Sequence, residues 1–289
     1  MCAIKLDMSK AYNRLEWLFL CRVMRKMGFD EDWVDQIFRC ISTTQLSFII
    51  NGKQRGSLSP SRGLRQGDPI SPYLFLICTD AFSGLLSKAQ KGGPIHGVKV
   101  CKRAPQVSHL FFADDSVLFV RATTSECERV IDIIRRYEEA SGQRINSEKS
   151  EVVFSRNEGA DLRQNLLTLL QMKEVDYHAK YLGLPTILSR SKKAVFAGIK
   201  ERVWKKLRGY KEKLLSSPGK EIILKAVAQA IPSYAMSIFK LPETLLDELH
   251  AILAKFWWGS SDQKRKIHWK KWEDLCRPKM MGGMGFRDL

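Results

Sequence analysis

The chain has 289 residues, 44% of them hydrophobic and 27% charged, which is ordinary for a folded protein of one large or two smaller domains. Its 48 Lys and Arg against 31 Asp and Glu leave a charge of +17, an excess that suits a polyanion, either nucleic acid or an anionic membrane surface. The 7 cysteines are scattered, odd in number and without a CxxC pair, which argues against zinc and against a disulfide framework. No stretch reaches the roughly 18 apolar residues of a membrane span. Asp7 and Lys10 break the apolar run at the N-terminus, so no signal peptide is expected and the place expected is intracellular, nucleus or cytoplasm.

In chain order, residues 2–7 predict a short strand ending on the carboxylate of Asp7. Leu15, Leu18, Phe19, Val23 and Met27 recur at helical spacing and predict a helix over 14–28, closed by Gly28; another is expected over 31–42. Asn51-Gly52 after an apolar run predicts a type I′ hairpin. A Gly-, Pro- and Ser-rich loop over 56–69 leads to a helix that Ser71 caps, with Pro72 at its first position, running to about Ala89. Strands are expected over 96–101 and 107–120, and a helix over 124–140 stopped by Ser141-Gly142. Short strands and a helix follow over 150–184. Beyond about Ser191 the pattern is helical, over 193–215, 219–231 and 243–258, the last with Leu245, Leu246, Leu249, Ile252, Leu253 and Phe256 on one face. Residues 200–289 hold 19 basic and 10 acidic residues against 29 and 21 in residues 1–199, so the last third is the more densely charged. The expected organisation is α+β over 1–190, a helical basic domain over 191–260, and a basic tail over 261–289.

The strongest chemical signal is Asp114-Asp115, set between the apolar halves Phe111-Phe112-Ala113 and Ser116–Phe119. Asp-Asp turns are common on surfaces, stabilised by local hydrogen bonds. A tight hairpin would instead carry both carboxylates at its tip, where a divalent cation offsets their repulsion. Asp7 closes another strand, and three converging carboxylates suit two metals about 4 Å apart, the arrangement that promotes in-line phosphoryl transfer.

Residues 5–12, Lys-Leu-Asp-Met-Ser-Lys-Ala-Tyr, resemble motif A of reverse transcriptases. Residues 63–72, Gly-Leu-Arg-Gln-Gly-Asp-Pro-Ile-Ser-Pro, resemble motif B, and Phe112-Ala113-Asp114-Asp115 resembles motif C. In order and spacing the three are similar to those of LINE-type, non-LTR retrotransposon enzymes of plants. Residues 141–150 are similar to the segment after motif C and residues 181–185 to the primer-grip segment. The helical tail also fits, so the resemblance covers nearly the whole chain. It implies an α+β palm, an antiparallel sheet backed by helices, followed by an all-α basic thumb.

The resemblance further implies an RNA-directed DNA polymerase that uses Mg²⁺, two ions with Mn²⁺ as a substitute, and takes an RNA template, a DNA primer and dNTP; no membrane partner is expected. Asp7, Asp114 and Asp115 would be the metal carboxylates, Asp115 the least direct of them. Lys149 would donate a proton to leaving pyrophosphate. Tyr12 matches the aromatic gate under the incoming sugar, with Ala11 beside it; packing in the core is the competing role for that ring. Gln66, between Arg65 and Gly67, would position the nascent pair. Tyr181, Leu182 and Gly183 fall in the primer grip. Lys205, Lys206, Arg208, Lys211 and Lys213 would hold the duplex backbone without reading sequence.

The sequence departs from the family in beginning almost at motif A, with no fingers region before it, and in carrying Asn13 where plant LINE-type sequences usually have aspartate. Two readings follow: a polymerase core fragment, or a non-catalytic nucleic-acid-binding remnant that keeps the fold. Group II intron maturases share the polymerase core and form a weaker third reading.

Overall fold

The computed structural model of the chain describes residues 1–178, 180–186, 192–210, 215–259 and 266–289. These fall into two units, Met1–Leu182 and Gly183–Leu289.

The first unit is α+β. Its strands are β1 (Cys2–Leu6), β2 (Leu46–Ile50), β3 (Lys53–Leu58), β4 (His109–Phe112), β5 (Asp115–Val120), β6 (Glu151–Phe154) and β7 (Lys173–Glu174). Five of them form one sheet in the order β4-β5-β1-β6-β7, antiparallel except for the β6–β7 edge. Alternation decides the faces: Cys2, Ile4 and Leu6 turn inward with Leu118, Val120, Val152 and Phe154. Helices α4 (Ser71–Lys91), α5 (Thr124–Ser141) and α6 (Ala160–Leu170) cover that face with Phe82, Leu86, Val130, Ile133, Leu166 and Leu170. Phe82 stacks on Tyr137 and Phe111, with ring centroids 4.6 and 5.2 Å away. Each such buried side chain contributes about 1.5–3 kcal/mol as an upper bound.

A second cluster joins α1 (Ala11–Arg14), α2 (Trp17–Lys26) and α3 (Glu31–Ser42) to the first half of α4 through Leu15, Leu20, Met24, Val34, Ile37, Leu74 and Phe75. The helix expected over 14–28 is thus interrupted. Leu15 is extended (φ −61°, ψ 124°), and its carbonyl accepts from Gly63 N–H at 2.7 Å instead of from its own helix. Glu16 N–H donates to Ser141 O. Strands β2 and β3 form the expected hairpin, with Asn51 at φ 50° and Gly52 at φ 74°.

Two further expectations are corrected. Ser71 is the first helical residue of α4, not its cap; Asp68 Oδ1 accepts from Ile70 N–H just ahead of it. Residues 96–101 form no strand, since Val98 pairs with Val107 at one isolated bridge. The stretch over 107–120 is the hairpin expected around Asp114-Asp115, formed by β4 and β5 and turned at Ala113-Asp114.

The second unit is helical: α7 (Lys192–Arg208), α8 (Ser217–Ile223), α9 (Ala230–Met236), α10 (Glu243–Trp258) and α11 (Trp272–Cys276). Its core holds Phe196, Ile199, Val203, Leu224, Leu245, Leu249, Leu253 and Phe256. The helix expected over 219–231 is broken between α8 and α9 by a π-turn over Leu224–Ala228. Pro232 lies four residues past Ala228 and has no N–H to give its carbonyl, so the regular ladder cannot pass through.

Candidate active site

The site grows out of the central strand. Strands β1 and β5 pair in antiparallel register up to Leu6 against Ser116, which leaves Asp7 just past the end of β1 and Asp115 at the start of β5. Both stand on the face away from the helices, because Leu6 and Ser116 are buried on the other. Asp115 is half-buried and Asp114 is exposed in the turn. The turn is tight: Phe112 pairs with Asp115, and Ala113 adopts a left-handed φ of 52°. Tyr12, second residue of the helix α1 that follows Asp7, stacks on Phe75, centroids 4.9 Å apart. Burial and, secondarily, the charge of Asp114 push its phenol up, so motifs A and C share one electrostatic neighbourhood.

The segment after α5 brackets Asp7 from its other side. Asn146 N–H donates to Asp7 O at 2.8 Å, Asp7 N–H donates to Ser150 Oγ at 3.1 Å, and Ser9 N–H donates to Arg144 O at 2.8 Å. Lys149 is exposed in the turn closed by its N–H to Asn146 O, one residue before buried Ser150. Gln143 is fully buried and its Nε2 donates to Ala11 O at 2.7 Å, while its Oε1 has no partner among the described residues. Ala11 itself is buried in the helical cluster, and Gln143 occupies its carbonyl. Sequence reasoning gave Gln143, Asn146 and Ser150 no roles; their signal lay within the segment similar to the one after motif C.

The motif B loop is fastened to motif A. Gly63 N–H donates to Leu15 O at 2.7 Å, Leu64 N–H to Tyr12 O at 2.7 Å, and Trp17 Nε1–H to Gly63 O at 2.6 Å. A Cβ on Gly63 would lie 2.7 Å from Asn13 O, and its φ is 88°. Only glycine allows this approach. Arg65, Gln66 and Gly67 follow, all exposed, with Gly67 at φ 90°. Arg65 and Gln66 line a pocket of about 330 Å³ together with Asn13, Trp17, Arg62 and Asp68.

A family model described as reverse transcriptase (RNA-dependent DNA polymerase) matches residues 1–186. The chain belongs to the reverse transcriptase family. An uncharacterized mitochondrial protein of Arabidopsis thaliana is 55% identical over 71 residues, 25% of this chain and 58% of the relative. The retrovirus-related Pol polyprotein of the type-1 retrotransposable element R2 of Popillia japonica is 30% identical over 115 residues, 40% of this chain and 18% of the relative. An uncharacterized protein of transposon TX1 from Xenopus laevis is 24% identical over 98% of this chain and 21% of its own length. The plant and retrotransposon relatives bear out the likeness to LINE-type reverse transcriptases, and the chain spans only part of each.

Reverse transcriptases use a divalent metal, and the donors at this site are the hard oxygens such a cation prefers. Among the described residues no three His, Cys, Asp or Glu side chains close into a metal-holding cluster. Mg²⁺ does not require one, since one or two carboxylates suffice when water and phosphate oxygens complete the shell. Asp7, just past the end of β1, and Asp115, at the start of the paired β5, are carboxylates of that kind.

In the second unit Lys205, Lys206 and Arg208 are exposed along the last turns of α7, opposite the buried Phe196, Ile199, Val203 and Leu207. The Arg208 guanidinium lies 4.8 Å over the ring of half-exposed Trp204. Lys211 and Lys213 lie outside the described residues. Tyr181 and Leu182 end the first unit and Gly183 opens the second, with Leu182 at φ 52° and Gly183 at φ 74°. No described helix is long and apolar enough to cross a membrane.

Proposed function

We propose that this chain carries a working polymerase core and joins dNTPs to a DNA primer 3′-hydroxyl on an RNA template. The observation that supports this most directly is the pairing of β1 with β5, which has Asp7 just past the end of one strand and Asp115 opening the other, with Asp114 in the adjoining turn. Asp7, Asp114 and Asp115 would hold two Mg²⁺ ions, which lower the charge on the triphosphate and on the attacking oxygen. The other roles belong to the chain itself. Tyr12, held flat on Phe75, bounds the sugar position and excludes a 2′-hydroxyl by its bulk. Arg65 and Gln66, carried on a loop tied down at Gly63 and Leu64, orient the base pair and phosphate. Lys149 stands one residue from Ser150, which binds the Asp7 backbone, and supplies a proton to departing pyrophosphate. Residues 1–190 act as palm, with Tyr181, Leu182 and Gly183 steadying the primer. Residues 191–260 act as thumb, whose Lys205, Lys206, Arg208, Lys211 and Lys213 track phosphates, and 261–289 extend it. The place of action is the nucleus or cytoplasm, where the nucleic-acid partners are.

Incorporation of dTTP on an oligo(dT)-primed RNA template with Mg²⁺ tests this, with Asp114→Ala alongside. Incorporation by the native chain that falls to background in the variant is the expected result. Duplex binding by both with incorporation by neither would replace the catalytic reading with that of a nucleic-acid-binding remnant.

A further inference from the structure

Between Asp80 and Asp114 the chain carries Lys88, Lys91, Lys99, Lys102 and Arg103 and no acidic residue. All of these cations are exposed, and none forms an ion pair among the described residues. Lys88 and Lys91 have a local reason to be there, since they sit in the last turn of α4 at the negative end of its dipole. Lys99, Lys102 and Arg103 have none.

The loop that carries them is built rather than loose. Val98 and Val107 exchange backbone hydrogen bonds of 2.8 and 2.9 Å, and Ala104 N–H closes a turn on Cys101 O at 3.0 Å. The two legs press together at Gly97, where a Cβ would lie 2.1 Å from Val107 O. Gln90 on α4 clamps the loop to the helix end: its Nε2 donates to Gln106 O at 3.0 Å, and its Oε1 accepts from Ser108 Oγ at 2.6 Å. The loop enters β4 at His109, whereas the Asp114 turn leaves β4 at Phe112. At about 3.4 Å per residue the strand separates them by roughly 10 Å.

We propose that this basic loop is a second nucleic-acid site, gripping the backbone of an RNA strand where it extends beyond the candidate active site. The nature of the polyanion rests on the polymerase reading above; the loop and its unpaired cations do not. Unpaired, solvated cations at fixed positions release phosphate counterions on contact, which is the main source of sequence-indifferent affinity. A bilayer is the poorer fit, because interfacial anchoring needs an apolar face. Among large hydrophobic side chains this loop exposes Val100 alone.

The test compares the native chain with the Lys99→Ala/Lys102→Ala/Arg103→Ala variant by equilibrium binding over a salt series. The ligands are a blunt primer–template duplex and the same duplex with a long single-stranded RNA overhang. The native chain is expected to bind the overhang form more tightly. The variant is expected to lose that advantage, by roughly ten-fold or more at 0.1 M salt, with the salt slope shallower by about 2 and blunt-duplex affinity unchanged. Equal affinity for both ligands in both proteins overturns the proposal. So does a loss shared equally by both ligands, or loop-dependent binding to anionic vesicles or an acidic peptide in place of RNA. Loop-dependent overhang binding without any dNTP incorporation would sink the polymerase reading and leave this site standing.

Discussion

Ala113 and Gly63 are the two residues on which the site's geometry turns. Ala113 holds a left-handed φ of 52° between the candidate carboxylates and β4. An L-residue there carries roughly 1–2 kcal/mol of strain, against which glycine's extra chain entropy weighs about 0.5–1 kcal/mol. Ala113→Gly is therefore expected to raise the melting temperature slightly; a lower value would mean the turn is unstrained. Gly63→Ala should do the reverse, since its Cβ would meet Asn13 O at 2.7 Å. Losing the paired bonds to Leu15 and Tyr12 should cost roughly 1–3 kcal/mol and a melting point several degrees lower. Unchanged melting would show that the motif B loop is not fastened as described. At this scale Asp7, Asp114 and Asp115 were legible as motif residues. Gln143 was not, because a buried glutamine holding a carbonyl 132 positions away leaves no local pattern.

Elements carry the next set of constraints. Helices α7 and α10 are joined on their outer side by Glu248, which accepts from Lys193 at 2.5 Å and Lys200 at 2.7 Å. Hydrogen bonds from Lys193 and Lys200 hold its carboxyl down, from 4.5 to about 2. A folded value below the unfolded one means the pairs' stabilisation is complete above pH 4.5 and is lost as pH falls toward 2. The carboxylate is only half-buried, so added salt should weaken the effect. Glu248→Gln is expected to flatten the acid limb of the thermal-stability profile of this unit; an identical limb would remove the pair from its acid sensitivity. Most element positions could be read from periodicity: α3, the β2–β3 hairpin, α5 and α10 stand within a residue or two of expectation. The misses were at breaks. The kink at Leu15 and the π-turn at Leu224–Ala228 arise from partners outside the local window or from a proline four residues on.

For the molecule as a whole, two observations set behaviour: separate hydrophobic cores in the two units, and a net charge of +17. Each unit buries its own apolar side chains, so a fragment ending at Leu182 is expected to melt cooperatively by itself, and the full chain to show more than one calorimetric transition. A fragment that never folds would show that the first unit depends on the second. The basic excess is expected to make primer–template binding indifferent to sequence and steeply weaker between low and moderate salt. Affinity that holds constant across that range would remove the exposed lysines of α7 from the duplex clamp.

What the sequence determined by itself were the features written in local composition. These are the apolar-flanked Asp114-Asp115 pair, the Asn51-Gly52 turn, the glycines of the motif B loop, the helical periodicities and the uneven charge. Each needs only neighbours a few residues away to be recognised. The tertiary structure alone decided the register in which β1 and β5 pair, which carbonyls Gly63 and Gln143 approach, and which face of each helix meets solvent. Those outcomes depend on register and on contacts between distant segments. Long-range hydrogen bonds and burial set them jointly, and no short stretch of chain encodes either one alone.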